Sequence, residues 1–415
     1  MSQIKRVPKK DYTNFIDIGC NAYPGMGIKS REDKARLRKR FIESDADPAL
    51  KLWGLYDRSE LRGGLRLFDF TMNMYGNWVK IGGGGFLAVD LTHKKEKVAR
   101  DLMQFFIGHY RQRGYSMTTL YPFRPDFYRK MGFGYGAKMN RYLISPADLP
   151  KTGDKSYVRF LTDKDIRLLS ACYSRYAAQT HGMFRRCKYQ DIRLRAQQPQ
   201  MVGFVRKNRV EGYIVFSFKP AGEDNFVFNN LHIEEMVCEN RAALLGLLTF
   251  LNTQADQINK VILSTHDENF HFLPHDPRTG SNRLVGMVAH ETNAQGVGIM
   301  YRVIDTPGLW KNLSKHSFGG ENIKLKLTLI DSFVKENAGS YVLHFTNGRP
   351  HLKRSRDWEV EVTMDVAEFS SLIVGAVDYR SLYQYGQAEI SDTGYLGRIN
   401  RMFLAERKPE CLAQF

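Results

Sequence analysis

Two short stretches carry residue types and spacings that could do chemistry. The first is Thr92-His93-Lys94-Lys95-Glu96-Lys97, followed by Val98, Leu102, Phe105, Phe106 and His109 at helical spacing. A helix N-terminus offers backbone N–H groups without intrahelical partners and the positive end of the peptide dipole, which suits a pyrophosphate. Lys94, Lys95, Lys97 and Arg100 add cations to that end. A solvated surface loop would also contain such lysines, and on this feature alone the two readings weigh equally. Just upstream, the backbone of Leu87-Ala88-Val89 could pair with an extended ligand in the manner of a strand. The second stretch is Phe127-Tyr128-Arg129-Lys130-Met131-Gly132-Phe133-Gly134. A phenol ionising near ~10 can hand its proton to a departing thiolate of pKa near ~8.5 if the surroundings stabilise the product. Alone, Tyr128 would read as a core tyrosine beside Phe127 and Phe133. Joined to the basic loop at this spacing, the chemical reading is favoured.

The elements that must position these residues follow from pattern and turn chemistry. Helix-like stretches at Tyr12–Ala22 and Arg31–Ser44 precede strands at Leu50–Tyr56 and Leu61–Met72, with turns at Asp57-Arg58-Ser59 and Tyr75-Gly76-Asn77. The glycine run Gly82–Gly85 leads into a strand at Phe86–Leu91. The basic loop and its helix come next, then strands at Met117–Tyr121 and Met139–Ile144 around a short helix carrying Tyr128. A second segment repeats the plan: strands at Met201–Arg206, Gly212–Lys219 and Phe226–Val237, a helix at Arg241–Ala255 and a strand at Lys260–Ser264. Its loop, Val237-Cys238-Glu239-Asn240-Arg241, has glutamate where phosphate would sit, and reads as a copy without cofactor. A third segment, from Thr306-Pro307-Gly308, mixes strands (Ile323–Ile330, Ser340–Phe345, Glu359–Met364) with helices at Val366–Val374 and Arg398–Ala405 and carries no chemical motif.

At 415 residues the length suits two to four domains. The formal charge of +17, from 61 Lys and Arg against 44 Asp and Glu, would attract an anionic partner. These cations are spread along the whole chain rather than clustered on a reading element with aromatics, so no nucleic acid is expected. The five scattered cysteines have neither metal-ligand nor disulfide spacing, and no metal is expected. MSQIKRVPKKDY has no apolar run behind its charges, and no apolar stretch approaches the roughly 18 residues that cross a bilayer; a cytoplasmic protein without a membrane partner is expected.

VDLTHKKEKVARDL followed by FYRKMGFGYG resembles the acetyl-CoA signature of the GNAT superfamily. With the ending Ala413-Gln414-Phe415, the full layout resembles one branch, the enhanced-intracellular-survival (Eis) aminoglycoside acetyltransferases. The resemblance implies an α/β (α+β) fold of two tandem GNAT-like domains, residues 1–150 and 151–305, and a sterol-carrier-protein-like domain, 306–415. It implies acetyl-CoA as cosubstrate, Tyr128 as general acid and the α-carboxylate of Phe415 as base. Leu87, Ala88 and Val89 would hold the cofactor with Lys95, Glu96, Lys97, Val98, Ala99 and Arg100, flanked by Phe123 and Arg124. The implied acceptor is an amine of a cationic small molecule such as an aminoglycoside, acetylated at one or several positions, and the implied assembly is a homohexamer. A polycation needs an acidic pocket, for which Asp11, Asp17, Glu32, Glu43 and Asp126 are candidates. One departure stands out: the GNAT pattern has glycine, for close backbone approach, where this chain has Lys97. The competing reading is a catalytically silent coenzyme A or lipid-binding module of the same fold.

Overall fold

The computed structural model describes residues 2–195, 199–223 and 225–415. Its first part runs β1 (Gln3–Arg6), α1 (Tyr12–Ala22), α2 (Arg31–Ser44), β2 (Leu50–Asp57), β3 (Glu60–Met74), β4 (Asn77–Val89), α3 (Val98–Gln112), β5 (Met117–Leu120), α4 (Pro125–Arg129) and β6 (Gly134–Tyr135). Local chemistry accounts for the boundaries. Ser30 caps α2 reciprocally with Asp33, a capping box. The β2–β3 loop puts both Arg58 and Ser59 at positive φ, as does Tyr75-Gly76 between β3 and β4, the geometry that matches strand twist in two-residue hairpins. The four glycines Gly82–Gly85 lie inside β4 rather than ahead of it. A β-carbon at Gly84 would stand 3.0 Å from the Phe106 ring, and one at Gly83 would stand 2.7 Å from Phe70 Cδ2, so α3 and β3 press on bare backbone.

The second part runs β7 (Lys138–Ile144), β8 (Val158–Phe160), α5 (Ile166–Gln179), α6 (Lys188–Arg195), β9 (Gln200–Arg206), β10 (Arg209–Pro220), β11 (Asn229–Cys238), α7 (Arg241–Asn252), β12 (Ile258–Thr265), β13 (Leu284–Gly286), β14 (Ala289–His290), β15 (Asn293–Val297) and β16 (Met300–Val303). The sheets do not follow the chain cuts at 150 and 305. One sheet has the order β1-β2-β3-β4-β5-β16-β6 and the other β8-β9-β10-β11-β12-β7-β15. In each, one parallel pair (β4–β5 or β11–β12) sits among antiparallel neighbours; the strand beyond β5 is β16, from just before the cut at 305, and the strand beyond β12 is β7, from before the cut at 150. The strand at 138–144, read in the sequence as the end of the first segment, therefore belongs to the second sheet. Pattern could not show this: a short buried strand pairs equally well in either.

The third part comprises α8 (Thr306–Asn312), β17 (Ile323–Ile330), β18 (Gly339–Thr346), β19 (Arg349–Lys353), β20 (Val360–Asp365), α9 (Val366–Ile373), α10 (Tyr379–Gln384), β21 (Ala388–Ile390) and α11 (Leu396–Phe403), around a sheet ordered β19-β18-β17-β20-β21. Its core is continuous with the first sheet: Met72, Val79 and Ile81 pack in one cluster with Leu325, Phe369 and Phe403. Arg302, fully buried on the borrowed β16, ties the two together. Its guanidinium donates to both oxygens of Asp331 (2.8 and 2.9 Å) and to the Met131 carbonyl (2.6 Å). Asp331 also accepts from the Phe333 and Val334 amides and the Asn337 side chain, so the pair's desolvation is offset by full hydrogen bonding. Nearby, Tyr75 is sandwiched between His181 and His316, with ring centroids 4.0 and 4.2 Å away.

Two outcomes follow. Arg302→Leu leaves the Asp331 carboxylate buried and unpaired and should cost about 3–5 kcal/mol, read as a lowered midpoint of urea unfolding. Burial, with His181 beside it, lowers His316 to about 4, and burial lowers His181 as well. The unfolded chain, with histidine near about 6.5, takes up protons that the native state refuses. Stability is thus intact above pH about 6.5 and lost as pH falls toward 4; a thermal melt series should show this loss blunted in His316→Gln.

Candidate active site

The parallel strands β4 and β5 are hydrogen-bonded only from Ile81–Met117 to Gly84–Leu120. Beyond that they splay, and a cavity of about 330 Å³ opens between Gly85, Phe86 and Leu87 on one side and Tyr121, Pro122 and Phe123 on the other. A bulge in β4 makes the splay: Gly64 pairs with Ala88 but Arg66 with Gly85, leaving Phe86 and Leu87 opposite Leu65 alone. Phe86 sits there at φ +48, its ring held among Phe15, Tyr23 and Phe41.

Tyr128 lines this cavity from α4, 3% exposed, with its ring 5.7 Å from Phe123 and 6.1 Å from Phe133. Burial first, and Tyr23 second, push its hydroxyl far above the ordinary phenol range, so it is protonated at neutral pH. Tyr23, raised to about 12 by burial, donates a short hydrogen bond to the Leu87 carbonyl. Leu87 faces the cavity, while Ala88 and Val89 pair with β3 and have no partner on the β5 side.

The basic loop leads into α3 with its cations free. Lys94, Lys95, Lys97 and Arg100 are exposed, and none forms an ion pair with a described residue. Lys97, the cap of α3, adopts φ +64 and Lys95 φ +68. These are left-handed positions where glycine is ordinary and lysine costs of order 1 kcal/mol or more. The path that the missing glycine would give is therefore kept, and a cation is added to it. Glu96 hydrogen-bonds His93 (3.0 Å), Val98 is buried, and Ala99 sits in the first turn. Phe123 is 54% exposed at the cavity mouth, and Arg124 is engaged by Asp126 at 3.1 and 2.6 Å.

Phe415 is not in this cavity but closes it from behind. Its ring packs against Phe68, Phe70 and Tyr121, and its backbone carboxyl carbon would stand 3.2 Å from a β-carbon at Gly85. The tail leading to it is pinned between the two sheets: Tyr121 Oη donates to the Ala413 carbonyl (2.9 Å), Glu410 N donates to the His181 carbonyl (2.9 Å), and His266 Nε2 meets the Cys411 carbonyl (3.2 Å). Past the tail lies a larger cavity of about 800 Å³ over the open face of the second sheet. Tyr121 lines both cavities and is one residue that motif reading missed; its signal was its place at a strand end before Pro122. Tyr23 and Met103, also missed, carry no motif.

In the second sheet, the loop ahead of α7 differs in kind. Asn240 caps the helix by accepting from Ala243 N (3.0 Å), and Glu239 is held by Arg175 (2.5 Å) and Arg209 (2.7 Å). Among the described residues no group of three His, Cys, Asp or Glu could hold a metal, and no helix is long and apolar enough to cross a membrane.

Comparison with known proteins agrees with this geometry. Residues 3–136 match an acetyltransferase (GNAT) domain family, residues 179–303 a second acetyltransferase (GNAT) family, and residues 311–412 a sterol carrier protein domain. The chain thus carries two matches to GNAT acetyltransferase domains, whose acyl donor is acetyl-CoA. Its three-part fold superposes over its whole length on all of Eis1 from Mycobacterium abscessus (TM-score 0.77, 14% identity). It is likewise similar throughout to a GCN5-related N-acetyltransferase from Anabaena variabilis (TM-score 0.82, 18% identity, all of both chains). A third, from Kribbella flavida, gives a TM-score of 0.76 at 17% identity, over all of this chain and 98% of that one. No curated protein matches the sequence.

With Glu239 and its two arginines where the first domain has free lysines, calorimetric titration of acetyl-CoA is expected to saturate at one per chain. Two per chain would show that the second loop also binds.

Proposed function

We propose that this acetyltransferase acylates a primary amine of a small molecule, with Tyr128 as the general acid and the backbone carboxyl of Phe415 on the acceptor's side. The observation that carries the reading is the meeting of two cavities at Tyr121, one holding Tyr128 at the β4–β5 splay and the other bordered by Phe415.

The residues fit acetyl-CoA: a left-handed backbone at Lys97, unpaired cations ahead of α3, and an open strand edge at Ala88 and Val89. Bound there, acetyl-CoA supplies the thioester acyl group. Lys95, Lys97 and Arg100, with the first-turn amides of Val98 and Ala99, would hold its phosphates; Leu87 and Phe123 would line the reacting end, with Arg124 at the rim. Tyr128 holds the proton for the leaving sulfur. Its raised pKa does not disqualify it, because the apolar pocket that disfavours phenolate also disfavours thiolate. A free α-carboxyl, at roughly 3.3–3.7, is a weak acceptor for an ammonium proton. The Phe415 carboxyl therefore acts through water or by orienting the cationic amine.

The resemblance extends this to aminoglycosides. Of the acidic residues such a polycation would use, Asp11 binds Tyr56, Asp17 binds Lys34 and Asp126 binds Arg124; none of these three, nor Glu32 or Glu43, lines either cavity. That reading is supported by the resemblance alone. A homo-oligomer is supported by the β13–β14 hairpin, which exposes Val285, Met287 and Val288 at 77–94%.

Tyr128→Phe should lower free-thiol release from acetyl-CoA with an amine panel by roughly 10²-fold or more, while calorimetric coenzyme A affinity is kept. Deletion of Phe415 should likewise remove turnover and spare coenzyme A binding; undiminished thiol release in either variant would assign the role elsewhere. Light scattering should find an oligomer that Met287→Asp dissociates.

A further inference from the structure

The chemistry of the larger cavity narrows the acceptor. Its floor is the open face of β10, β11, β12 and β7, and the ladder fixes the order of its side chains along the strands. Ser217 pairs with His232, His232 with Ile262 and Ile262 with Leu143. One step toward the tail, Ser264 pairs with Arg141; Met139 follows, where the tail crosses at Cys411. One step in the opposite direction stands Lys219, across from Asn230. At about 3.4 Å per residue, Arg141 lies about 7 Å and Lys219 about 20 Å from the tail along the strands.

Two of the charged side chains lining this space are cations. Arg141 and Lys219 are both exposed, and neither makes an ion pair with a described residue. His232, between them, is held below the ordinary imidazole range by burial first and by Lys219 next; Glu234 opposes this, and Arg141 adds the smallest push. The one lining carboxylate side chain, Glu234, accepts a hydrogen bond from Ser217 (3.2 Å) and stands on the tail's side of His232, where the Phe415 carboxyl also lies. Arg141 shares that step from across β12, so the tail's end of the cavity holds the carboxylates and one free cation, and Lys219 lies alone beyond His232. Met139, Leu143 and Ile262 give the space between an apolar floor.

We propose that the acceptor is an amine whose other end carries an anionic group, seated on Arg141 with Lys219 beyond it. This rests on the acetyltransferase reading above and deepens it. A guanidinium fork pairs with carboxylate or phosphate alike, and a polycation would meet two unneutralised positive charges on entry.

The test uses the full chain and four acceptors of one length: aminohexanoate, aminohexyl phosphate, aminohexanol and diaminohexane. Thiol release should give a kcat/KM at least tenfold higher for an anionic acceptor than for diaminohexane, and Arg141→Gln should lower that ratio roughly tenfold, the worth of one charge-assisted hydrogen bond. Lys219→Gln, also on the surface, should lower it less. Whether the carboxylate or the phosphate leads identifies the anion. Preference for diaminohexane, or a ratio unmoved by Arg141→Gln, would overturn the inference while leaving the acetyltransferase reading intact. If no acceptor releases thiol, the acetyltransferase reading fails, and calorimetry of aminohexanoate binding with and without Arg141→Gln decides this one: binding lost in the variant supports it, and binding absent or unchanged overturns it.

Discussion

The buried pair of Arg302 and Asp331 is the interaction on which the arrangement of this molecule depends. A guanidinium without solvent exposure must have all its protons taken, and here they go to a carboxylate of the third domain, to the Val303 carbonyl and to Met131. Met131 stands three residues after Tyr128, and Arg129 in the same short helix pairs with Glu368 of the third domain. A five-residue helix has little stability of its own. Tyr128 therefore keeps its place in the cavity because the sterol-carrier-like domain holds the segment that carries it. In this chain that domain braces the wall of the cavity that Tyr128 lines.

The tail completes the same logic from the other side. Its last residues add no secondary structure, yet every anchor crosses a boundary: Tyr121 of the first sheet, His266 of the second, and Tyr176, which donates to Glu410 from α5. Burial raises the Glu410 carboxyl, and the Tyr176 hydrogen bond opposes that rise. The partition between the two cavities is thus built of Tyr121 and Phe415, one from a strand end and one from the far end of the chain.

Much of this was legible in sequence. The helices at Tyr12–Ala22 and Arg31–Ser44 form where the sequence has helix-like stretches, the second started by the capping box of Ser30 and Asp33. The strands around Arg58-Ser59 and Tyr75-Gly76 were marked by turn chemistry. The basic loop and Tyr128 were marked by residue type. Less legible was whatever depends on partners distant in sequence. The helix α5 has its apolar positions interrupted by Ser170, Ser174 and Arg175, and shows its buried face only against Tyr213 and Val237. The polarity of the larger cavity arises from four strands and a tail whose spacing holds no pattern. Lys97 reads in sequence as a departure from glycine, whereas the backbone there is what glycine would have given.

The reciprocal exchange of β7 and β16 has a bearing on descent. Two halves that each lend the other an inner strand are no longer separable modules: removing either would strip the other sheet of the strand beside its parallel pair and expose an unpaired edge. The half whose loop holds a glutamate in place of free lysines has nonetheless been bound into the lineage by topology. Selection on the first half's chemistry then preserves the second half's fold. That leaves the second half's open face at liberty to diverge.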